Sequence, residues 1–314
     1  MTPAAAEVER FARDLAALVP SGRIGIAVSG GPDSLALLLL AYAARPSEIE
    51  AATVDHQLRE GSAEEAAMVA CLCEQLGIAH ATLPVTVAPG ASLQAQARTA
   101  RYAALVAWAT ERDLIAVATA HHADDQAETL LMRLARGSGL SGLAGVRASR
   151  PLADGIKLVR PLLGWRKAEL EAVVAVAGLT PADDPANRDP RHDRTRAREF
   201  LGRDDWPDPR HLATSAHHLA DAEEALHFAT GHFADRLTVE GGGLTLSAAD
   251  LPRELQRRLL LAAISRLGDL PPRGPDLDRT LTTLINGGAC TLGTLSLRAK
   301  DGRWHLAPAP PRRG

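Results

Sequence analysis

The sequence predicts an α/β fold in which a parallel sheet carries helices on both faces and is followed by a smaller, mainly helical α/β domain. Short apolar runs at 24–28, 51–54, 81–85 and 114–118 have the length and composition of buried strands. They alternate with longer stretches of helical periodicity at 35–40, 63–76 and 93–110, the order of βαβ units. A chain of 314 residues is also long enough for two domains with real cores.

Taken in order, Val8, Phe11, Leu15 and Leu18 form the apolar stripe of an opening helix, broken at Ser21 and Gly22. The four strands and three helices follow. A further apolar run at 157–163 precedes a helix at 167–177, after which Pro, Asp and Arg dominate from 181 to 209. The domain junction is expected near Trp206, giving domains 1–205 and 206–314. In the second domain the pattern predicts helices at 211–236, 253–267 and 277–285. A terminal hairpin turns at Asp301 and Gly302.

Composition excludes several classes. With 46% hydrophobic and 23% charged residues and a net charge of −3, the chain is neither a disordered tail nor a polycation. Cys71, Cys73 and Cys290 make no C-x-x-C pair, so neither a zinc site nor a disulfide framework is indicated, and a reducing cytosol is expected. The acidic start lacks the basic, apolar layout of a signal peptide, and no run approaches a membrane span. Charge is unevenly spread: between Arg188 and Arg198 five arginines face two acids, a local net of +3 inside an acidic average. A solvated loop of mixed charge is the competing reading of that segment.

Ligands of such sheets bind at the carboxyl ends of the strands. Here those ends read SGGPDS (29–34), DHQLR (55–59) and TAHHADDQAET (119–129). Gly30 and Gly31 allow close backbone approach, and Asp33 or Ser34 caps a helix whose N-terminus attracts an anion, with phosphate the natural guest. Neither the P-loop nor the dinucleotide fingerprint is present. In the third segment, helical spacing puts Asp125, Glu128, Thr129 and Arg136 on a polar front and Ala127, Leu130, Leu131 and Leu134 on an apolar back. Arg98 and Arg101, three apart, share a face and reach phosphate or carboxylate together. His56 either lines a nucleotide pocket or bonds a loop carbonyl.

The hexapeptide SGGPDS resembles the pyrophosphate loop of ATP pyrophosphatases. Within that group, VDHQLR (54–59), ARTARY (97–102), the 119–129 segment, RGSG (136–139), RPLL (160–163) and the spaced arginines of 187–198 resemble the tRNA(Ile)-lysidine synthases. The resemblance spans residues 21 to about 205. It implies that ATP adenylates the C2 oxygen of the wobble cytidine in an isoleucine tRNA with a CAU anticodon, after which free L-lysine displaces AMP. It further implies ATP contacts from Ser29, Gly30, Gly31, Pro32, Asp33, Ser34, Asp55 and His56, with Mg²⁺ accompanying the phosphates and Asp33 its candidate contact. Asp125 and Glu128 would bind lysine, Arg101 and Arg194 would steady the adenylate or substrate carboxylate, and Arg194, Arg196 and Arg198 would contact tRNA. Two alternatives stand beside it: a tRNA pyrimidine 2-thiolation enzyme of the same group, and a non-catalytic nucleotide-binding module.

Overall fold

The structure is a computed structural model that describes residues 2–57, 61–86, 93–182, 193–203, 207–240, 242–268 and 270–309. Two compact units emerge, 1–220 and 221–314. The division falls later than the junction expected near Trp206, because one continuous helix, α9 (Pro209–His232), runs through it.

In the first unit α1 (Ala5–Leu18) leads to β1 (Ile24–Ala27), α2 (Pro32–Ala44), β2 (Ile49–Asp55), α3 (Ser62–Leu76), β3 (His80–Pro84), α4 (Leu93–Glu111) and β4 (Ala116–Ala118). Then come α5 (Ala123–Ala135), the short α6 (Leu140–Leu143), β5 (Ser149–Ala153), β6 (Ile156–Val159), α7 (Lys167–Val176) and α8 (Asp193–Arg203). The sheet order is β3-β2-β1-β4-β6-β5, parallel except for the antiparallel edge strand β5, which the sequence reading missed. Its Arg-Pro start and half-exposed face carry no apolar run, as expected of an edge.

Core residues explain the layering. Helix α2 is apolar all round, with Leu35 to Ala41 fully buried, so it sits between the sheet and α1 and α7. Phe11, Leu15, Val69, Leu72 and Val173 fill that face, whereas Leu105, Trp108 and Ala109 of α4 cover the other with Leu114, Val117 and Leu158. Gly25 is forced by this second face, since a Cβ there would lie 2.4 Å from the Trp108 ring. Strand order reverses between β1 and β4, because β1 is followed outward by β2 and β3 before the chain returns to its other side. Parallel sheets open a crevice at such a reversal.

The second unit has a five-stranded antiparallel sheet, β7-β8-β11-β10-β9, from β7 (Leu237–Glu240), β8 (Gly243–Leu246), β9 (Ala289–Leu292), β10 (Leu295–Lys300) and β11 (Arg303–Pro308). The helices α10 (Arg253–Arg266) and α11 (Gly274–Ile285) pack Leu259, Leu260, Ile264 and Leu281 against Leu246, Leu297 and Trp304. The expected terminal hairpin is present; β7, β8 and β9 enlarge the sheet beyond it. Among the described residues, no helix is long and apolar enough to cross a membrane.

Candidate active site

At the end of β1 the chain turns sharply into α2. Gly30 adopts φ +85°, open to glycine at little cost, and its carbonyl accepts from Ala182 N at 3.0 Å. Gly31 has ordinary φ, and a Cβ there would meet only Ser29 Oγ at 3.9 Å, so the space beside it is open to a ligand. Pro32 occupies the first turn of α2, where its missing N–H costs nothing. Ser34 holds the loop together: its Oγ accepts from Ser29 N (3.1 Å) and Ser29 Oγ (3.2 Å) and donates to Gly31 O (2.9 Å). All the hydrogen-bonding capacity of that hydroxyl is thereby used inside the loop. Asp33 is different, because its Oδ1 is buried with no hydrogen-bond partner.

The end of β4 meets this loop across the crevice. His122 caps α5 in a box with Asp125, whose Oδ2 accepts from His122 N at 3.1 Å. The 3%-exposed imidazole has Nε2 3.5 Å from Asp33 Oδ2 and 3.6 Å from Asp125 Oδ2, and Nδ1 3.6 Å from Asp124 Oδ2. Burial disfavours its charge, but the carboxylates of Asp124, Asp33 and Asp125 outweigh burial and raise its pKa to about 10. Asp125 N also approaches Nδ1 at 3.4 Å, which calls for a bare nitrogen; against three carboxylates that long contact is the weaker influence, and His122 is an imidazolium. Its neighbour is the opposite. Burial, and then the positive charges of Arg160, Arg101, Arg194 and Arg98, push His121 down to about 3, so it is neutral.

Asp124, to which the sequence reading assigned no role, organises the other side. It accepts from Lys167 N (2.8 Å) at the start of α7 and from Arg166 Nε (3.2 Å). Burial opposes ionisation, yet His122, the Lys167 amide and Arg166 bring its pKa to about 2. Only its place in an Asp-Asp doublet at a helix start hinted at this role.

The expected polar front of α5 exists, but it is covered. Glu128 is 2% exposed because α8 lies on it: Arg194 Nε donates to Oε2 at 2.6 Å and Arg198 Nε to Oε1 at 2.8 Å. Arg194 also pairs with Asp125. Of the expected apolar back, Ala127 and Leu130 are buried, whereas Leu134 is 50% exposed, since the last turn of α5 projects beyond the core. Arg196, one position off the Arg194–Arg198 stripe, points outward and is 75% exposed, 3.9 Å from Asp193. The structure thus separates the three arginines: two grip the protein's own carboxylates and one faces solvent. Arg59, Arg188 and Arg191 lie outside the described residues.

At the end of β2, Asp55 accepts from Gln57 N at 2.9 Å, and that bond with one from Ser62 holds its carboxyl below the usual range. Among the described residues the buried Nδ1 of His56 has no hydrogen-bond partner, and burial followed by Arg101 favours its neutral form. Arg101 and Arg98 do share a face, both stacking on Tyr102 at 5.2 and 5.1 Å. Burial pushes the Cys73 thiol up to about 11, far from a reactive thiolate, and Cys290 upward as well. Among the described residues, no group of three or more side chains forms a metal cluster.

A family model described as a PP-loop domain matches residues 2–204. The chain is 51% identical to a tRNA(Ile)-lysidine synthase of Novosphingobium aromaticivorans over 97% of its own length and 94% of the relative's. A tRNA(Ile)-lysidine synthase of Zymomonas mobilis is 43% identical, with 93% and 90% covered. Among solved structures, the U34-tRNA thiolase NcsA of Methanococcus maripaludis, with its [4Fe-4S] cluster, superimposes with a TM-score of 0.55. At 16% identity over 68% of this chain and 79% of that one, it shares the fold.

Proposed function

Because the chain belongs to the tRNA(Ile)-lysidine synthase family, its reaction is the formation of lysidine on tRNA(Ile), and we propose how the residues gathered at the ends of β1 and β4 carry it out. The C2 oxygen of the wobble cytidine attacks the α-phosphorus of ATP and pyrophosphate leaves. The lysine amine then attacks C2, the C2–oxygen bond breaks and AMP departs. Adenylation is needed because a pyrimidine carbonyl oxygen is a poor leaving group until it is esterified to phosphate.

The observation that carries this reading is the junction of Asp33, His122 and Asp125. It joins a phosphate-type loop after β1 to an acidic pair after β4 within 3.6 Å, across the sheet's reversal point. The open backbone beside Gly31 and the start of α2 receive the phosphates. Mg²⁺ fits here, because the orphaned Asp33 Oδ1 is the hard oxygen donor that ion takes, and when bound it neutralises phosphate charge. His122 fixes the angle of Asp33 and keeps three carboxylates from repelling one another.

Lysine arrives as an ammonium, its amine having an ordinary pKa of ~10.4. Asp125 and Glu128 bind that cation. In the free protein Arg194 bridges the same two carboxylates, so the incoming ammonium shares or displaces a guanidinium. Neither histidine serves as base near neutrality: His122 already holds its proton, and His121 is too weak. The carboxylates are left to take the amine's proton. Arg101 steadies the adenylate, and Arg196, exposed on α8, meets the tRNA.

The thiolation alternative finds no support in Cys73, a buried thiol on α3 whose pKa burial raises to about 11. In a purely nucleotide-binding module the Asp125–Glu128 pair would only hold α8 through Arg194 and Arg198. The test is AMP and pyrophosphate formation in the presence of ATP, lysine and a CAU-anticodon tRNA, each omitted in turn. Lysidine synthesis requires AMP to accumulate only when all three are present, in the cytosol-like reducing conditions the composition implies.

A further inference from the structure

Tyr102 on α4 is ringed by cations. The guanidinium carbons of Arg98 and Arg150 lie 5.1 Å from its ring centroid, and that of Arg101 5.2 Å. Arg160, just after β6, is a fourth, near enough for its charge and the Tyr102 phenol to act on each other. Among the described residues, none of these four arginines pairs with a carboxylate. Arg150 donates to the carbonyl of Pro151, and Arg160 to that of Arg147.

Arg160 is the anomaly. It is 3% exposed, and both its Nε and the Tyr102 hydroxyl oxygen are buried with no hydrogen-bond partner among the described residues. Buried cations ordinarily meet a counter-charge, because an unpaired one keeps the cost of desolvation and recovers nothing. Four like charges around one ring add repulsion. Among the described residues no carboxylate answers this charge, and the Tyr102 phenol, whose pKa the surrounding arginines lower against the opposing effect of burial, is the one acidic group beside it.

We propose that Arg98, Arg150 and Arg160 around Tyr102, bordered by Arg101, form a site for a backbone phosphate of the substrate tRNA beside the reacting nucleotide. This rests on the lysidine synthase reading and names a contact surface for it. The cage adjoins the acidic pair, since His121 feels Arg98, Arg101 and Arg160 together with the Arg194 that grips Asp125 and Glu128. A single amino-acid carboxylate would answer only one of four charges. The ATP phosphates already have the β1–α2 loop. Exposure falls from Arg98, open to solvent, through the half-buried Arg150 to the buried Arg160, a gradient that suits a strand entering from outside. A protein of net charge −3 must concentrate its positive potential to hold RNA at all.

The experiment compares wild type, the double variant Arg98→Gln/Arg150→Gln, and Arg160→Met. Filter retention of an unmodified CAU-anticodon tRNA is measured across a salt series, with Tm and the KM values for ATP and lysine. The proposal expects several-fold weaker retention and a log affinity against log salt line flatter by about 0.7 per lost contact. KM for ATP and lysine stays at the wild-type value. Arg160→Met should also keep or raise the Tm of the free protein, the reverse of what a structural arginine would do. Lines that superimpose on wild type overturn the proposal. So does a raised KM for ATP or lysine with an unchanged tRNA line, which would assign the cage to that ligand. A wild-type protein that retains no tRNA at any salt concentration overturns both this site and the reading beneath it, whereas wild-type retention with unaffected variants sinks this site alone.

Discussion

His122 Nε2 stands 3.5 Å from Asp33 Oδ2 and 3.6 Å from Asp125 Oδ2, so one buried imidazolium ties the loop after β1 to the acids that follow β4. Replacing it by Asn removes the charge and leaves Asp33, Asp124 and Asp125 facing one another. Breaking such a buried pair costs about 3 kcal/mol, and Asp33 loses its anchor. His122→Asn is expected to lower stability by that order in urea melts and to depress AMP formation at saturating ATP. Wild-type kcat would show that the imidazolium is a packing element only.

The two adjacent histidines predict a stability maximum in the free enzyme. The pKa of His122 is raised from 6.5 to about 10, so its stabilisation is full below pH 6.5 and fades as pH climbs toward 10. That of His121 is lowered from 6.5 to about 3, so the unfolded chain binds its proton first, and stability falls as pH drops from 6.5 toward 3. Asp124, lowered from 3.8 to about 2, adds a loss at the acid extreme. Urea melts from pH 4 to pH 10, about the range between these values, should peak near 6.5. His122→Asn should flatten the alkaline limb and His121→Asn the acid limb. A limb unchanged by its own variant contradicts the assignment.

Within the loop, Asp33 and Ser34 are expected to fail differently. Ser34→Ala strands the Ser29 amide and should cost about 1–3 kcal/mol, with ATP KM rising and lysine KM steady. Asp33→Asn keeps the fold and should abolish AMP and pyrophosphate production. Calorimetry alongside product assays separates the two, and equal stability losses in both variants would make Asp33 a loop-shaping residue like its neighbour.

Glu128→Gln should raise lysine KM far more than ATP KM, because the amide keeps the shape and loses the charge that an ammonium and two arginines require. Equal rises would move Glu128 to the nucleotide side.

On α8, Arg196→Gln should weaken tRNA retention and leave lysine KM alone, while Arg194→Gln should change lysine KM. The sequence treated the basic stretch as one surface. Helical geometry divides it, since Arg194 and Arg198 are four apart and share a stripe that Arg196 does not.

Much of the candidate site's local arrangement was legible because its signals are local. The strand–glycine–helix turn, the Asp125 and Glu128 face, and the Arg98 and Arg101 pair follow from spacing along one element. What escaped depends on pairs far apart in the chain. Nothing near Asp124 announces that it will cap α7 through Lys167 N, and nothing near Arg160 announces that it will be buried against Tyr102. The strands β5, β7, β8 and β9 were missed because edge and two-sided strands of four or five residues carry too few apolar positions to alternate visibly. The charge states of His121 and His122 were also out of reach, since each is set by residues from several elements.

The Asp33–His122–Asp125 junction is expected to couple ATP cleavage to attachment of lysine at a cytidine. Incubating the protein with ATP, labelled lysine and a CAU-anticodon tRNA(Ile), then digesting the RNA to nucleosides, tests it most directly. Label is expected in one modified cytidine, the lysidine nucleoside, with one AMP formed per lysine incorporated, and neither product from Asp33→Asn. AMP formed without label in the RNA, or a thiolated pyrimidine in its place, would contradict it.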